Sequence, residues 1–505
     1  MHGILAYGTH LPVHHLDLSE IGRTLGSSTA KGTRLVASYD EDTTSMAVEA
    51  ARSALAGIER GTIGRVLLAT AQPAYLDRAN AAIVHAALSL SADSLALDYI
   101  GSMRTAAGAL LAATEHRETD ERVLAVFSDV RTGLPGSVDE KAGSDGAAAI
   151  LTGDGTDSVP VIAEFIGSAS RTVEMLDRWR IPGDSSSHVW EERFAEGPLV
   201  TAGLEALRAA TSAAGVTIDG LDHLLVVGMH DRAVRGVAKA AKVSQAASTH
   251  ATEAAANGSA GTAQIALGLA EILDNAAPQE TVGIVVLGDG AVAVVARTTA
   301  AIANSRNAVP VSRRRETCRP VSYPLFLTWR GRLDREPPRR PDPVPPAAPP
   351  SFRAASYKFG LNVGRCTECG TVNIPIERIC IRCHATDTQV HEPLSEKPGK
   401  IVTFTVDHLA FSPSPPVVSA VVDFEGGGRM VCEVTDSGDA DLAVGTPVAM
   451  TFRRLSTSGG IHNYFWKARP AVEEPSTAEP VDSKREIPAT DRLVTPAHNT
   501  REATP

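Results

Sequence analysis

Apolar residues recur at two different periods along the N-terminal part of the chain, and the two periods alternate. MAVEAARSALAG from Met46 spaces its apolar side chains as an amphipathic helix does and is rich in the helix formers Ala, Glu and Arg. RVLLATAQP from Arg65 is a short apolar run of strand type. The same pair returns as AGLEALRAATSAAG from Ala202 and HLLVVGMHD from His223. GSMRTAAGALLAATE from Gly101 is answered by GSAGTAQIALGLAE from Gly258, and SDGAAAILTG from Ser144 by GDGAVAVVAR from Gly288. The offset is about 157 for the first three pairs and about 144 for the last, so one loop has been shortened between two copies of one unit. Helix and strand alternating twice in the same order predict mostly parallel sheets covered by helices. A ligand cleft is expected where the strand C-termini of the two halves meet.

The pattern breaks at residues 331–351. Eight of the fourteen residues from Pro337 to Pro350 are proline, which fixes φ and removes backbone donors, so this stretch predicts an extended, semi-rigid spacer. From 471 onward the chain has no aromatic residue and few large aliphatics, and no folded core is expected there. The divisions are 1–160 and 161–330 for the two halves, 331–351 for the linker, 352–395 and 396–470 for two small C-terminal domains, and 471–505 for a disordered tail.

Composition narrows the class. The 505 residues are 43% hydrophobic and 21% charged, an ordinary soluble balance, with only 4% aromatic, so cores built from small residues are expected. A formal charge of -11 argues against a nucleic-acid partner. Arg313, Arg314, Arg315, Arg339 and Arg340 read as solvated charges in or beside the linker. No apolar run is long enough to span a membrane, the N-terminus does not read as a secretory signal, and six cysteines are sparse; together these predict a cytoplasmic protein.

Four of those cysteines are spaced as ligands. Cys366 and Cys369 form one C-x-x-C pair and Cys380 and Cys383 another, ten residues on. Two tight turns presenting two thiolates each close a tetrahedral S4 site suited to zinc, with no open coordination position, so the Zn2+ is expected to be structural. A redox disulfide or an iron–sulfur cluster is the other reading of the spacing. His384 is an alternative ligand or an exposed neighbour; Cys432 reads as a buried strand residue, and Cys318 has no partner at ligand spacing. The Gly-rich NGSAGTA and TGDGTDS lack phosphate-loop spacing and read as turns.

LAYGTHLPVHHL at the start, YDEDTTSMAVEAA from Tyr39, ATAQPAYLDRANAAIVHAAL from Ala69, GSDGAAAIL from Gly143, MHDRAV from Met229, ANGSAGTA from Ala256 and LGDGAVAVV from Leu287 resemble the thiolase superfamily, most of all hydroxymethylglutaryl-CoA synthase. RCTECGTVNIPIERICIRC, TVDHLAFSPSPPVVSAVVDFEGGGRMVCEVTD and FRRLSTSGGIHNYFWKARP resemble the zinc ribbon plus OB-fold domain that accompanies thiolase-like proteins. The resemblance implies a duplicated α/β fold layered α-β-α-β-α, plus a zinc ribbon and an OB-fold β-barrel. It implies a coenzyme A thioester substrate, chemistry at a carbon–carbon bond next to the thioester, and a homodimer. A partner thiolase or another acyl-CoA-processing subunit is also expected.

The resemblance also shows what is missing. The family's nucleophilic cysteine falls on Ser102 or Met103, and the glutamate of its Thr-Glu pair falls on Ala71, after Thr70. Serine needs a base to act as a nucleophile. Two family positions survive, His230 and Asn257, which in relatives face the thioester carbonyl and donate hydrogen bonds to an oxyanion. The plainer reading is that His230 caps or packs at a strand end and that Asn257 caps the next helix. An oxyanion site without an acyl acceptor suits aldol or retro-aldol chemistry, with the base open among Tyr75, Tyr99, His10, His14 and Asp98. The other class of function is a non-catalytic acyl-CoA-binding scaffold or channelling subunit for a partner thiolase.

Overall fold

Long runs of buried apolar residues make the central strands. Arg122–Val130 buries seven residues in succession and Thr281–Leu287 buries all seven, the signature of strands covered on both faces. The computed structural model describes residues 1–115, 121–244, 258–304, 309–316, 318–339, 341, 343–437 and 442–471. The predicted tail, Arg340 and Asn257 lie outside these described residues.

Nine strands form one continuous sheet. Their order is His223–Gly228, Thr281–Leu287, Gly290–Thr298, Ala163–Thr172, His2–His10, Asp145–Asp154, Arg122–Val130, Ile63–Thr70 and Leu95–Ile100. The two copies meet in the middle, where Ile4 bridges to Ala163, and the order runs outward from that seam in matching sequence on each side. In each copy one strand pairs in parallel with its neighbour on the side of the seam: Ile63–Thr70 with Arg122–Val130, and His223–Gly228 with Thr281–Leu287. The second half lacks a described counterpart of Leu95–Ile100; by the duplication offset it falls among residues outside the description.

Helices occupy three layers around this twisted sheet. Arg104–Glu115 and Gln264–Asn275 lie between the two halves and share one core with Phe127, Val227 and Val286. Thr43–Ala54 covers the outer face of the first half, and Glu192–Ala213 with Asp231–Ala241 covers the second. The result is the expected α-β-α-β-α layering. Asp42 starts the first of these helices, its Oδ1 accepting the N–H groups of Thr44 and Ser45 at 3.0 and 2.9 Å while Ser45 Oγ accepts from Asp42 N, a reciprocal cap.

The C-terminal part begins with three short antiparallel strands, Asn362–Cys366 between Val372–Asn373 and Gln389–Pro393, which carry the cysteine turns. A closed five-stranded barrel follows, in the order Gly399–Asp407, Val417–Phe424, Arg429–Val434, Ile461–Pro470 and Pro447–Ser458. Val417–Phe424 buries every second residue, as a barrel strand with one wet face must.

The barrel and the first half share one hydrophobic core: Ala50, Ala54 and Leu88 cluster with Phe452, Tyr464 and Trp466. Ten of the twelve residues of Thr43–Ala54 are buried because that helix is sandwiched between its sheet and the barrel. The acidic run Asp40–Glu41–Asp42 makes the polar half of the contact. Arg453, 1% exposed, reaches Asp40 at 3.3 Å, Glu41 at 2.9 Å and Asp436 at 2.6 Å. Lys467 Nζ meets Asp40 at 3.0 Å and Glu433 at 2.8 Å, and Tyr464 donates to Asp42 at 2.7 Å. Burial alone would raise the Glu49 carboxyl, but the Arg52 guanidinium at 3.0 Å holds it down to about 2, and Glu49 also accepts the Phe452 N–H at 3.0 Å. Burial likewise works against ionised Asp40, and Arg453 and Lys467 outweigh it, so its pKa is lowered.

Three expectations change. The nine-stranded sheet is not mostly parallel: three of its pairings are parallel and five antiparallel, because tight turns such as the one at Asp289 fold consecutive strands back as hairpins and the two copies meet antiparallel at the seam. The linker is extended only in part: Ala348–Arg353 is a helix that takes Pro349 and Pro350 in its first turn, where proline's missing N–H costs nothing. Arg315 is not a solvated linker charge, because the helix Val311–Glu316 packs it on Glu271 at 2.7 Å, both side chains largely buried.

Candidate functional site

The strand ends of the first half meet two turns of the second. Asp129, fully buried at the end of Arg122–Val130, accepts from Thr70 Oγ1 at 2.9 Å, from Ala71 N at 2.8 Å and from Thr262 N at 2.7 Å. One carboxylate thus pins Thr70 and Ala71 to the Gly258–Thr262 segment. Two glycines in that segment have positive φ, Gly258 at 81° and Gly261 at 58°. A side chain on Gly261 would overlap Asp129 Oδ2, and one on Gly258 would press on the Gly143 carbonyl. Ser259 closes the same junction, bonding Ala142 O and Ser144 N through its backbone and Met229 Sδ at 3.9 Å through its hydroxyl.

Ser102 lies just before the helix Arg104–Glu115. Its hydroxyl donates to Asp289 Oδ2 at 3.0 Å and accepts the Arg104 N–H at 3.3 Å. Asp289 occupies the tight Asp-Gly turn between Thr281–Leu287 and Gly290–Thr298, where φ of 48° suits it. Arg104 fastens that turn by donating to the Asp289 carbonyl at 2.8 Å and the Thr172 hydroxyl at 2.7 Å. Met103, the other position expected for a nucleophile, is buried in the middle layer.

His230 follows His223–Gly228 and caps Asp231–Ala241, its Nδ1 accepting the Ala233 N–H at 3.2 Å. The capping reading is therefore realised. It also leaves the neutral ring's proton on Nε2, because a nitrogen that accepts a hydrogen bond has none to give. Asn257 lies outside the described residues.

Several candidate bases are engaged elsewhere. Asp98 takes the N–H groups of Asn80 and Ala81 and so fixes the start of the helix Ala81–Ala87. His10 is buried on Glu41 at 2.7 Å. His14 packs edge-on to Trp329 and lines a cavity of about 1040 Å³ with Tyr39, Phe404, Val418 and Asp436. Burial lowers the His14 pKa. Neither Ser102 nor His230 lines that cavity, which belongs to the barrel contact. Tyr99 is half-buried against the middle-layer core. Tyr75 stands on the loop after Ile63–Thr70 and is met by the barrel, its hydroxyl accepting the His462 N–H at 2.8 Å with the rings 5.1 Å apart. Sequence reasoning missed Asp129 and Asp289. Both sit in legible text, Asp129 ending an apolar strand and Asp289 in an Asp-Gly turn, but their cross-half partners are not legible.

The four cysteine sulfurs lie within 4.8 Å of one another, with Cys366–Cys383 and Cys369–Cys380 at 3.6 Å. A tetrahedron of sulfurs about 2.3 Å from zinc has edges of roughly 3.8 Å, so the donor set fits. N–H groups of Cys383 and Arg382 bring the Cys380 thiol down to about 6, which favours the thiolate a metal needs. His384 is exposed beside the cluster. Burial pushes Cys318 and Cys432 up to about 11, the range of inert thiols.

Taken together, these features define a two-part protein, a duplicated thiolase-like domain with a cysteine ribbon and OB barrel seated on its first half. Residues 392–453 match the family model for the ChsH2 C-terminal OB-fold domain. A DUF35 domain-containing scaffold protein of Methanocaldococcus jannaschii is 33% identical over 125 residues, 24% of this chain and 88% of that protein. A hydroxymethylglutaryl-CoA synthase of Archaeoglobus fulgidus is 28% identical over 351 residues, 66% of this chain and 99% of the relative. The solved PksG synthase of Bacillus subtilis superposes with TM-score 0.56 at 16% identity over 65% of this chain and 88% of its own. An HMG-CoA synthase crystallised with CoA gives TM-score 0.52 at 18% identity over 64% of this chain and 89% of its own. Those two superpositions show the fold alone. The chain belongs to the DUF35 domain-containing proteins through its C-terminal part, fused here to a hydroxymethylglutaryl-CoA synthase-like domain. Among the described residues no helix is long and apolar enough to cross a membrane.

Proposed function

We propose that this chain makes or breaks a carbon–carbon bond next to a coenzyme A thioester, by condensation or aldol-type cleavage, without a cysteine nucleophile. The observation that supports this best is the capping of His230 through Nδ1, which keeps Nε2–H as a donor. In cleavage of a β-hydroxyacyl-CoA, the hydroxyl proton passes through Ser102 to Asp289 as the Cα–Cβ bond breaks. The bonding electrons move onto the thioester oxygen, held by Nε2–H of His230 and by Asn257, and the enolate then takes a proton at Cα. Condensation is the reverse. Ser102 as an acyl acceptor is the variant of this scheme that intact mass after acyl-CoA exposure would expose. The barrel hairpin that meets Tyr75 then serves as a cover beside the acyl or pantetheine channel. Zn2+ held by Cys366, Cys369, Cys380 and Cys383 keeps the ribbon folded and takes no part in the reaction. The proposed assembly is a cytoplasmic homodimer.

Turnover of a β-hydroxyacyl-CoA panel by purified protein tests the reading, wild type against His230→Ala. Loss of one oxyanion donor is expected to lower kcat about 10²- to 10³-fold. The absence of a carboxylate at Ala71 favours a second reading, a scaffold that channels acyl-CoA for a partner thiolase. It predicts no turnover by the chain alone and activation of a co-purified thiolase.

A further inference from the structure

The contact between barrel and first half keeps the cavity of about 1040 Å³, at the upper end of the volumes that hold small molecules. His14 and Arg319 reach it from paired short strands, Tyr39 from the loop after Thr33–Val36, and Trp329 from the end of the helix Tyr323–Trp329. Three of these rings form one aromatic wall: Trp329 meets His14 edge-on at 5.0 Å and Tyr39 at 6.4 Å. The barrel supplies Phe404, Val418 and Val434, the two valines buried. The mouth is apolar as well. The loop after Gly399–Asp407 lines the cavity with His408 and Ser414 and carries Leu409 and Phe411 98% and 52% exposed. Large apolar side chains left in water beside a cavity mark a binding surface.

Most polar groups of the lining are committed to the protein. Trp329 Nε1 donates to Pro413 O at 3.2 Å, Thr435 Oγ1 and Ser38 Oγ donate to Asp40, and Glu433 pairs with Lys467 at 2.8 Å. Two buried lining atoms make no hydrogen bond, Asp436 Oδ1 and His14 Nδ1. The Asp436 side chain is 4% exposed, and its other oxygen accepts from Arg453 Nη2 at 2.6 Å. Burial raises the Asp436 pKa and the Arg453 guanidinium opposes that rise. An ion-paired carboxylate accepts and cannot donate, so Oδ1 lacks a donor. Two guanidinium groups already meet Asp436, Arg453 at the side chain and Arg319 at the backbone carbonyl, at 2.9 Å, which disfavours a cation as that donor. Neither Ser102 nor His230 lines the cavity, so its occupant is not the reacting thioester.

We propose that this cavity binds a neutral, planar aromatic molecule that lies on the Trp329 wall and presents one N–H or O–H donor to Asp436. The proposal goes beyond the reading above and does not rest on it. Calorimetric titration of the full, metal-loaded chain with indole and with benzothiophene tests it, because the two fused-ring compounds have nearly the same shape and differ in the N–H. Indole should bind with a Kd of about millimolar or below, and more tightly than benzothiophene by roughly tenfold. Asp436→Asn turns its carbonyl to Arg453 and an NH2 to the ligand, and should erase the preference. Phe404→Ala, on the barrel side and away from the Arg453 network, should weaken both compounds severalfold. Equal affinities in the wild type, or a preference that survives Asp436→Asn, would overturn the proposal. Unchanged affinities in Phe404→Ala would overturn it too, by placing both compounds elsewhere on the chain, and would decide the matter if Asp436→Asn did not fold. Binding of neither compound at about millimolar concentration would also overturn it.

Discussion

Replacing Arg453 by methionine tests how the barrel is held. Methionine approximates the volume of the arginine stem but removes the charge that faces Asp40, Glu41 and Asp436 at 3.3, 2.9 and 2.6 Å. Asp40 keeps Lys467 at 3.0 Å and Glu41 keeps His10 at 2.7 Å, so Asp436 is left worst off, its side chain 4% exposed and Oδ1 already unbonded. Removing one partner from a buried ionic cluster costs about 3–5 kcal/mol, because the remaining charges stay desolvated. Urea unfolding followed by tryptophan fluorescence reads this, since Trp466 sits in the contact with Arg52 stacked 4.9 Å over its ring. Arg453→Met should lose about 3–5 kcal/mol at neutral pH, and adding Asp436→Asn should restore part of it. Proteolysis in the 331–351 linker should accelerate in step. A loss below about 1 kcal/mol, the range of an exposed pair, would refute the claim that this network carries the docking.

Three further outcomes are expected. Gly261→Ala, at φ of 58° and against Asp129 Oδ2, should destabilise by about 1–3 kcal/mol in thermal unfolding and lower turnover, because it displaces Thr262. Metal analysis should find one zinc per chain, and chelation or Cys369→Ser should lose the ribbon's protection in hydrogen exchange while the nine-stranded sheet keeps its own. Glu49 and Asp40 have folded-state pKa values below their unfolded ones, so their contribution is present at neutral pH, starts to be lost below the unfolded carboxylate range and is gone for Glu49 near pH 2. Stability measured from pH 6 to pH 2 should fall along that course, and more shallowly in Glu49→Gln.

The fold was legible because its signals are local or repeated. The helix at Met46, the apolar strand at Arg65 and their copies at Ala202 and His223 announce a duplicated α/β domain, and two C-x-x-C pairs announce the ribbon. The contact between barrel and first half was not legible. Asp40 and Arg453 are 413 positions apart, and nothing local marks an acidic run as the socket for an arginine in a distant strand. The site was half legible for the same reason. Ser102 and His230 were found through a resemblance, but the carboxylate beside Ser102 arrives from a turn 187 residues later.

The hairpin that brings His462 onto Tyr75 travels on the same polypeptide as the loop it touches. A tethered segment meets its target at an effective concentration of order millimolar, whatever the concentration of the protein. Dilution therefore cannot strip the barrel from its seat, and every copy of the site is made with one barrel of its own. A two-chain arrangement of the same parts would have to balance their synthesis and would come apart at low concentration.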